Sequence, residues 1–590
     1  MTSATRWPDE AIADARWPTT LFRLSTDTRA PVERLGYTAV ALLTLSPVVA
    51  HTSWRLVATA LRTDGDAVRI TGSALLVAGI VWAVRALWSG TGARWIPGAA
   101  CGLAALVIAV VAGAGNIAST AAAAASLLGV AAFSGLLAPW MVARLPRELD
   151  GLARRRRLLT GLFVLASAAA VVQTARVGSF MGDASRRELS LVPSVPFLVR
   201  HSCLTAYVEG ARLASEGDPN VYDADHWPDL GKSESARVRE QRYAPFQLDA
   251  FAYPPPFLLL PRALLLPIAD YASQRALWFG VNALISAAGL WLLAAWVGGR
   301  ARLVALLLAP AVWVSLPSMA ILQIGNVHAT VLIVALLAMV ALGAKRPVLG
   351  GALLAFAILS KISPGLLVLM LLVQRRFREV LWTALFCVGF ALLGVAVFGV
   401  APYHAFVSYQ LPRLGSGAAL SFMTGEESLP MNMSPFGVPF KLASLGVAIA
   451  DEWAVARSVN QIFTVVSLAL TVIAARKATS PRIAAMLWIA VLTLGTLRSP
   501  FAPAYVTVPV LWLFSLWASE VRRAPGAVVL ALSWVALAVT PPLPTQQLVV
   551  LTLVQQCLLL GVLAYVVLRG TPRGEAARPV TVDSLVDAGT

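Results

Sequence analysis

Apolar runs long enough to cross the ~30 Å hydrocarbon core of a bilayer recur along most of this chain, and that recurrence limits the folds open to it. They stand near 35–60, 71–88, 97–114, 118–143, 158–178, 274–297, 303–322, 328–344, 379–399, 458–475, 481–498, 503–519, 526–541 and 547–568. A soluble core cannot absorb so many helices that are apolar all round, because most would have no polar face to turn to water. Of the 590 residues 58% are hydrophobic and 13% charged, about half the charged share of an ordinary soluble protein. The expected fold class is all-α, a polytopic membrane helix bundle.

The formal net charge of +17 raises the question of nucleic acid, and the placement of the charge answers it. Arg and Lys stand in short clusters between apolar segments: Arg144 and Arg147, Arg154 to Arg157, Arg300 and Arg302, Lys345 and Arg346, Arg375, Arg376 and Arg378, Arg476 and Lys477, Arg522 and Arg523, Arg569 and Arg573. That is the pattern of cytoplasmic loops. No basic stripe is interleaved with aromatics as a nucleic-acid groove requires, so no nucleic-acid partner is expected. Cys101, Cys387 and Cys557 lie in apolar segments and Cys203 in a polar loop. Without a CxxC or HExxH pattern, a structural zinc site or redox motif is not expected. The start, Met1 to Glu33, is too long and too mixed in charge for a signal-peptide n-region and reads as a cytoplasmic tail.

With the N-terminus inside, alternating crossings place every basic cluster in the cytoplasm, provided that 348–374 enters and leaves on one side. That segment holds LGGALLAFAILSKISPGLLVLMLLVQ, two apolar pieces of about a dozen residues, hence ~18 Å of helix each, too short to span. Pro364 disfavours helix at Ser363. A re-entrant helical hairpin with Lys361 at its tip follows. Two long loops then fall outside, 179–253 and 400–457, and long loops in compact proteins are functional or disordered. Many acidic and aromatic residues in the first favour order. The Pro-rich stretch from Tyr253 through Pro254, Pro255, Pro256 and Pro261 towards Asp270 is apolar, yet its prolines forbid one regular helix. Broken backbone at membrane depth survives only where protein buries it or it lines a cavity, so a short re-entrant or interfacial element is expected there.

Five blocks, in order, resemble a known family. YPPPFLLLPRALLLP followed by Leu277 and Trp278 is similar to the Tyr-Pro-Pro-hydrophobic block of glycosyltransferase family 87, GT-C fold enzymes dependent on polyprenol phosphate. AYVEGARLASEGDPNVYD at 206–223 is similar to the segment that precedes that block. QIGNVHATVLIVALL from Gln323 resembles the Gly-Gln-x-Asn helix start. GGALLAFAILSKISPGLLVL resembles the Gly…Lys-x-x-Pro hairpin, and Leu497-Arg498-Ser499-Pro500 with Tyr505 the late Ser-Pro…aromatic segment. The resemblance covers roughly 158–520. It implies a GT-C-like core at 158–520, after a cytoplasmic tail (1–34) and a four-helix membrane extension (35–145). C-terminal membrane helices (521–568) and a second cytoplasmic tail (569–590) complete the layout.

The activity so implied is transfer of a sugar, mannose by resemblance, from a polyprenyl-phosphate donor to a glycolipid or cell-envelope glycan acceptor. It would take place at the extracytoplasmic face of a multi-pass plasma-membrane protein, with the lipid bilayer as its third partner. Such a site needs a carboxylate or other base for the acceptor proton, cations or oriented donors for the leaving phosphate, and an apolar groove for the prenyl tail. The family carries an Asp in the first external loop, and Asp183, just past the 158–178 helix, occupies that place. In the family the Asp stands a few residues before the Tyr matched by Tyr207. Here Arg200-His201-Ser202-Cys203-Leu204 holds no acid. Either an insertion separates Asp183 from Tyr207, or His201 has taken the role, or the site is altered. Asp183 is the favoured candidate base, with a solvated loop carboxylate beside Arg186 and Arg187 as its other role; His201 is next and Glu209 third.

Lys361 is the candidate for the donor phosphate, because an ionisable residue inside an apolar hairpin is costly and points to function. Arg498, at the outer end of a crossing, is its candidate helper, and each of the two could instead anchor the protein at the membrane interface. Tyr207, Tyr253, Gln323, Asn326 and His328 are candidate substrate contacts, with helix capping as the other role for Asn326. No DxD motif or carboxylate cluster forms an evident metal site, so metal-independent chemistry without a cofactor is expected. Two rival readings stay open. One is a transporter or flippase of a lipid-linked intermediate, although no paired repeat of broken helices is found. The other is a family member that has lost catalysis.

Overall fold

The computed structural model describes residues 32–63, 65–87, 95–228, 233–478, 480–521, 523–541 and 543–569. The two expected tails fall, apart from their innermost residues, outside the described residues. Among the described residues there is no strand, and the one bridge between extended segments joins Asn432 to Pro503. The chain is an all-α polytopic membrane bundle. Among the described residues, eight helices are long and apolar enough to cross a membrane, or nine if one bent pair counts as a single span.

Helices α1 (Val32–Leu61), α2 (Ala67–Leu87), α3 (Trp95–Ala112) and α4 (Ile117–Arg144) pack together first. They bury an alanine-rich cluster around Trp54, with Ala74, Ala78, Ala105, Ala109 and Ala122, small side chains that let helix backbones approach closely where lipid gives no hydrophobic drive. Arg55 lies near the end of α1 beside Asp183 and Asp270, so its charge sits where the helix ends. The next span, α5 (Arg157–Gly182), stops with Asp183 as its C-cap. The Tyr37 hydroxyl donates to the Leu306 carbonyl at 3.0 Å and that of Thr52 to Ala276 at 3.1 Å, docking α1 on the rest of the bundle.

The described residues of 184–253 form a cap at one end of the bundle around buried Tyr207, Trp227, Tyr243 and Phe251. Its longest helix, α6 (Leu204–Ser215), carries Glu209, which is 1% exposed. The Glu209 carboxylate accepts a 2.6 Å hydrogen bond from the Tyr243 hydroxyl, and the guanidinium groups of Arg239, Arg242 and Arg212 stand 3.6, 3.6 and 3.9 Å away. This carboxylate is the hub of the cap. The Pro-rich stretch that follows folds as a short 3₁₀ turn, Pro255–Leu258, and a six-residue helix, Leu259–Leu264, with Pro255 to Leu258 buried. That is the short broken element the prolines dictate.

Helix α7 (Tyr271–Val297) starts at the Asp270 N-cap, whose carboxylate accepts from Ser273 N at 2.8 Å. The apolar segment 303–322, expected as one crossing, is divided into two helices, α8 (Gly299–Val314) and α9 (Leu316–Gln323), with a 58° bend between them. Pro317 has no N–H to donate and its ring crowds the preceding turn. Ser315 accordingly takes extended backbone, its hydroxyl bonded to the Val312 carbonyl at 2.7 Å. After α10 (His328–Gly343), the hairpin consists of α11 (Pro347–Ser360) and α12 (Gly365–Val373). Lys361 breaks it in extended conformation (φ −152°, ψ 127°). The Arg376 guanidinium, just after α12, donates to the Leu342 carbonyl near the end of α10 at 2.8 Å. Both ends of the hairpin therefore lie together, as the charge pattern requires.

The bundle closes with α13 (Phe377–Phe398), α14 (Glu452–Lys477), α15 (Pro481–Leu497), α16 (Val508–Ala518), α17 (Ala524–Ala538) and α18 (Thr545–Arg569). A Cβ at Gly351 would lie 2.9 Å from Thr383 N, which shows how closely α11 and α13 approach. Every residue of α15 from Ala484 to Leu497 is buried, so this 17-residue helix is surrounded by protein and its length is not set by lipid. The second external loop, between α13 and α14, is pinned by Asn432. Its amide donates to the Pro500 carbonyl at 2.9 Å and accepts from Ala502 N at 3.0 Å.

Candidate functional site

The site forms where the external cap meets the turn between α9 and α10. Gly325, at φ +70°, lets the chain reverse there, and its carbonyl accepts from Trp278 Nε1 at 2.7 Å. A side chain would be strained in that left-handed backbone. Cys203 N donates to the Ile324 carbonyl at 2.8 Å, which ties the start of α6 to this turn. Residues 247–249 run alongside 200–205, with Gln247 N bonded to the Arg200 carbonyl at 2.9 Å and Asp249 N to Thr205 Oγ1 at 3.1 Å. Those backbone bonds place Asp249 opposite His201.

The result is a chain of polar side chains. His201 Nδ1 stands 3.1 Å from Asp249 Oδ1, and its Nε2 lies 3.4 Å from Cys203 Sγ. Asn326 Nδ2 donates to Cys203 Sγ at 3.2 Å and to the Tyr505 hydroxyl at 2.9 Å, while Asn326 Oδ1 accepts from His328 N at 2.9 Å. Asn326 thus caps α10 and joins the site at once. The hydroxyls of Tyr207 and Tyr253 share a 2.8 Å bond, and the Tyr207 oxygen accepts from Val327 N at 3.3 Å. Lys361 Nζ lies 5.7 Å from the centre of the Tyr253 ring and within electrostatic reach of Cys203 and His328. His328 is fully buried with neither ring nitrogen bonded.

Electrostatics in this cluster centre on His201. Burial, the largest single effect, disfavours its charged form, but the Asp249 carboxylate and the Cys203 sulfur together outweigh it and hold the imidazole well above its usual range. The ring is also stacked on Phe197, with centroids 4.3 Å apart. An imidazole oriented at Nδ1 by a carboxylate, with Nε2 3.4 Å from a thiol, has the arrangement of a general base.

The ten residues singled out in the sequence are placed as follows. His201, Tyr207, Tyr253, Asn326, His328 and Lys361 come together. Gln323 adjoins them but both ends of its amide are committed to the cap: Oε1 accepts from Leu191 N at 2.7 Å, and Nε2 donates to the Leu198 carbonyl at 2.6 Å and to Ser190 at 3.0 Å. Asp183 keeps other company. Its carboxylate accepts from Ser185 Oγ at 2.6 Å and stands 3.7 Å from Arg186, and among the described residues no contact joins it to His201. Arg498 follows Gly495, which packs against the Ser363 backbone at the hairpin tip, and its Nε donates to Thr464 Oγ1 at 3.1 Å. Glu209 serves as the hub of the cap.

Asp249 and Cys203 were not singled out in the sequence. Asp249 lies 48 positions after His201, and no spacing rule joins two loop residues that far apart. The one available signal was that Asp249 stands two residues before the Phe251-Ala252-Tyr253-Pro254 block.

Residues 251–500 match the family model of glycosyltransferase family 87. The matched stretch includes Tyr253, Gln323, Asn326, His328, Lys361 and Arg498, and begins two residues after Asp249. No curated protein and no solved structure matches the chain.

Proposed function

We propose that this chain, a membrane glycosyltransferase with a family 87 segment at 251–500, moves a sugar from a polyprenyl-phosphate donor to a hydroxyl of a glycolipid or cell-envelope glycan. Mannose is the sugar that the family resemblance favours, and the extracytoplasmic face is the side that the charge pattern favours. The observation that carries the reading is the meeting of the oriented His201–Asp249 pair with the Lys361 ammonium around Tyr253 and Cys203.

In this reading the acceptor hydroxyl gives its proton to His201 Nε2 as its oxygen bonds the anomeric carbon. The bond from that carbon to the donor phosphate oxygen breaks, and the phosphate leaves with the electron pair. Asp249 keeps Nδ1 protonated and steadies the imidazolium that forms. Lys361 neutralises the charge growing on the phosphate. Among the described residues no carboxylate pairs with Lys361, which leaves its charge available to an anionic ligand. The proton goes to His201 rather than Asp183 because Asp183 is engaged with Ser185 and Arg186.

The test is transfer by the purified protein from a radiolabelled polyprenyl-phosphate sugar to lipid acceptors. Lys361→Met should weaken donor binding ~10–150-fold, the loss of one charge-assisted hydrogen bond of ~1.5–3 kcal/mol, while the protein stays folded. Unchanged donor affinity would remove Lys361 from the phosphate site. Sidedness has its own test. Single cysteines at Ser185 and at Glu426, in a background lacking the native four, should react with an impermeant thiol reagent in intact cells. Labelling only after permeabilisation would put the site on the cytoplasmic face.

A further inference from the structure

We infer that Cys203, His201 and Asp249 form a binding site for a soft divalent cation, zinc above all, and that the bound ion inhibits sugar transfer. One donor atom from each of the three residues lies within 4.8 Å of the other two. Two ligands on tetrahedral zinc, with Zn–S of about 2.3 Å and Zn–N of about 2.0–2.1 Å, stand roughly 3.5 Å apart. Cys203 Sγ and His201 Nε2 are already 3.4 Å apart. Asp249 Oδ1 stands 3.1 Å from the other ring nitrogen, Nδ1, and with one donor atom of each residue within 4.8 Å of the others its carboxylate would turn to the ion as third ligand, leaving the fourth position of the tetrahedron to water.

The donor set decides which ion fits. A thiolate with an imidazole and one carboxylate selects zinc and its neighbours over magnesium or calcium, which prefer all-oxygen shells. The His201 and Asp249 side chains keep 20% and 16% of their surface exposed, so an ion can reach them from the open side of the cap. Inhibition follows from the preceding assignment of His201 as base: the Nε2 lone pair that would take the acceptor proton is held in the bond to the metal. Binding itself does not depend on that assignment.

Cobalt(II) titration of the purified full-length protein tests the site without any assay of activity. A thiolate-to-cobalt charge-transfer band should appear in the near ultraviolet. It should persist when Cys101, Cys387 and Cys557 are replaced by Ser and vanish in Cys203→Ser. Asp249→Asn should weaken cobalt binding at least ~10-fold, a second readout should Cys203→Ser not fold. Absence of the band, its survival in folded Cys203→Ser, or undiminished affinity in Asp249→Asn would each overturn the site. Zinc should displace cobalt and stop transfer over one concentration range, with recovery on chelation. Cobalt binding without inhibition by zinc would overturn the inhibitory role and the base assignment together, leaving the metal site in place.

Discussion

His201→Ala is expected to cut single-turnover transfer by ~10²–10⁴-fold at saturating donor, the usual contribution of a positioned general base. Donor affinity should change little, since Lys361 rather than His201 is assigned to the phosphate. The pH profile gives the sharper readout. His201 is held well above the ordinary imidazole range because the Asp249 carboxylate and the Cys203 sulfur together outweigh burial, the largest single effect. Only the neutral ring can accept a proton, so transfer should climb as pH rises through that elevated value. In Asp249→Asn the carboxylate's attraction is gone while burial and Cys203 remain, so the acid limb should move to lower pH while the plateau falls through loss of orientation. An unshifted limb would detach Asp249 from the base. Asp183→Asn is expected to stay near wild type. Collapse of that variant with His201→Ala intact would return the base role to Asp183.

Glu209→Leu should destabilise the external cap by ~3 kcal/mol, the low end of the ~3–5 kcal/mol seen when one partner of a buried ion pair is removed. The low end applies because the Arg242 and Arg212 side chains are 47% and 33% exposed, so water takes over part of their solvation. The Tyr243 hydroxyl, bonded at 2.6 Å to Glu209, would lose its acceptor in a buried setting. Glu209→Gln keeps an acceptor for Tyr243 and should lose less. Thermal unfolding of the purified protein, followed by cap tryptophan fluorescence from Trp227, measures the difference. Equal midpoints for wild type and Glu209→Leu would show that the hub does not hold the cap together.

The hairpin shows how much could be read in advance. Two twelve-residue apolar pieces, a proline and flanking arginines sufficed to predict α11, α12 and the break at Lys361, because length and missing backbone donors are local properties. The crossing expected at 303–322 is bent, and the bend escaped the sequence for a related reason. Hydropathy averages over Ser315 and Pro317, and whether a proline is absorbed as a kink or becomes a 58° corner depends on what packs beside it. Likewise α15 is as apolar as a lipid-facing span, and only its neighbours reveal that protein surrounds it.

The base is the sharpest contrast. A motif search along the chain looks for an acid a few residues before Tyr207 and finds none, whereas the fold supplies Asp249 across a backbone pairing between 200–205 and 247–249.

By itself, then, the sequence determined that the chain crosses a membrane many times, where the hairpin turns, and which family its middle resembles. These follow from apolar length, proline and short motifs, all of which act over a few residues. Only the tertiary structure decided that His201 faces Asp249 and Cys203, that Asp183 is engaged with Ser185 and Arg186, and that Gln323 and Glu209 hold the cap rather than line the site. Those outcomes rest on hydrogen bonds and ion pairs between residues far apart in the chain, whose donors and acceptors are matched by folding and not by spacing.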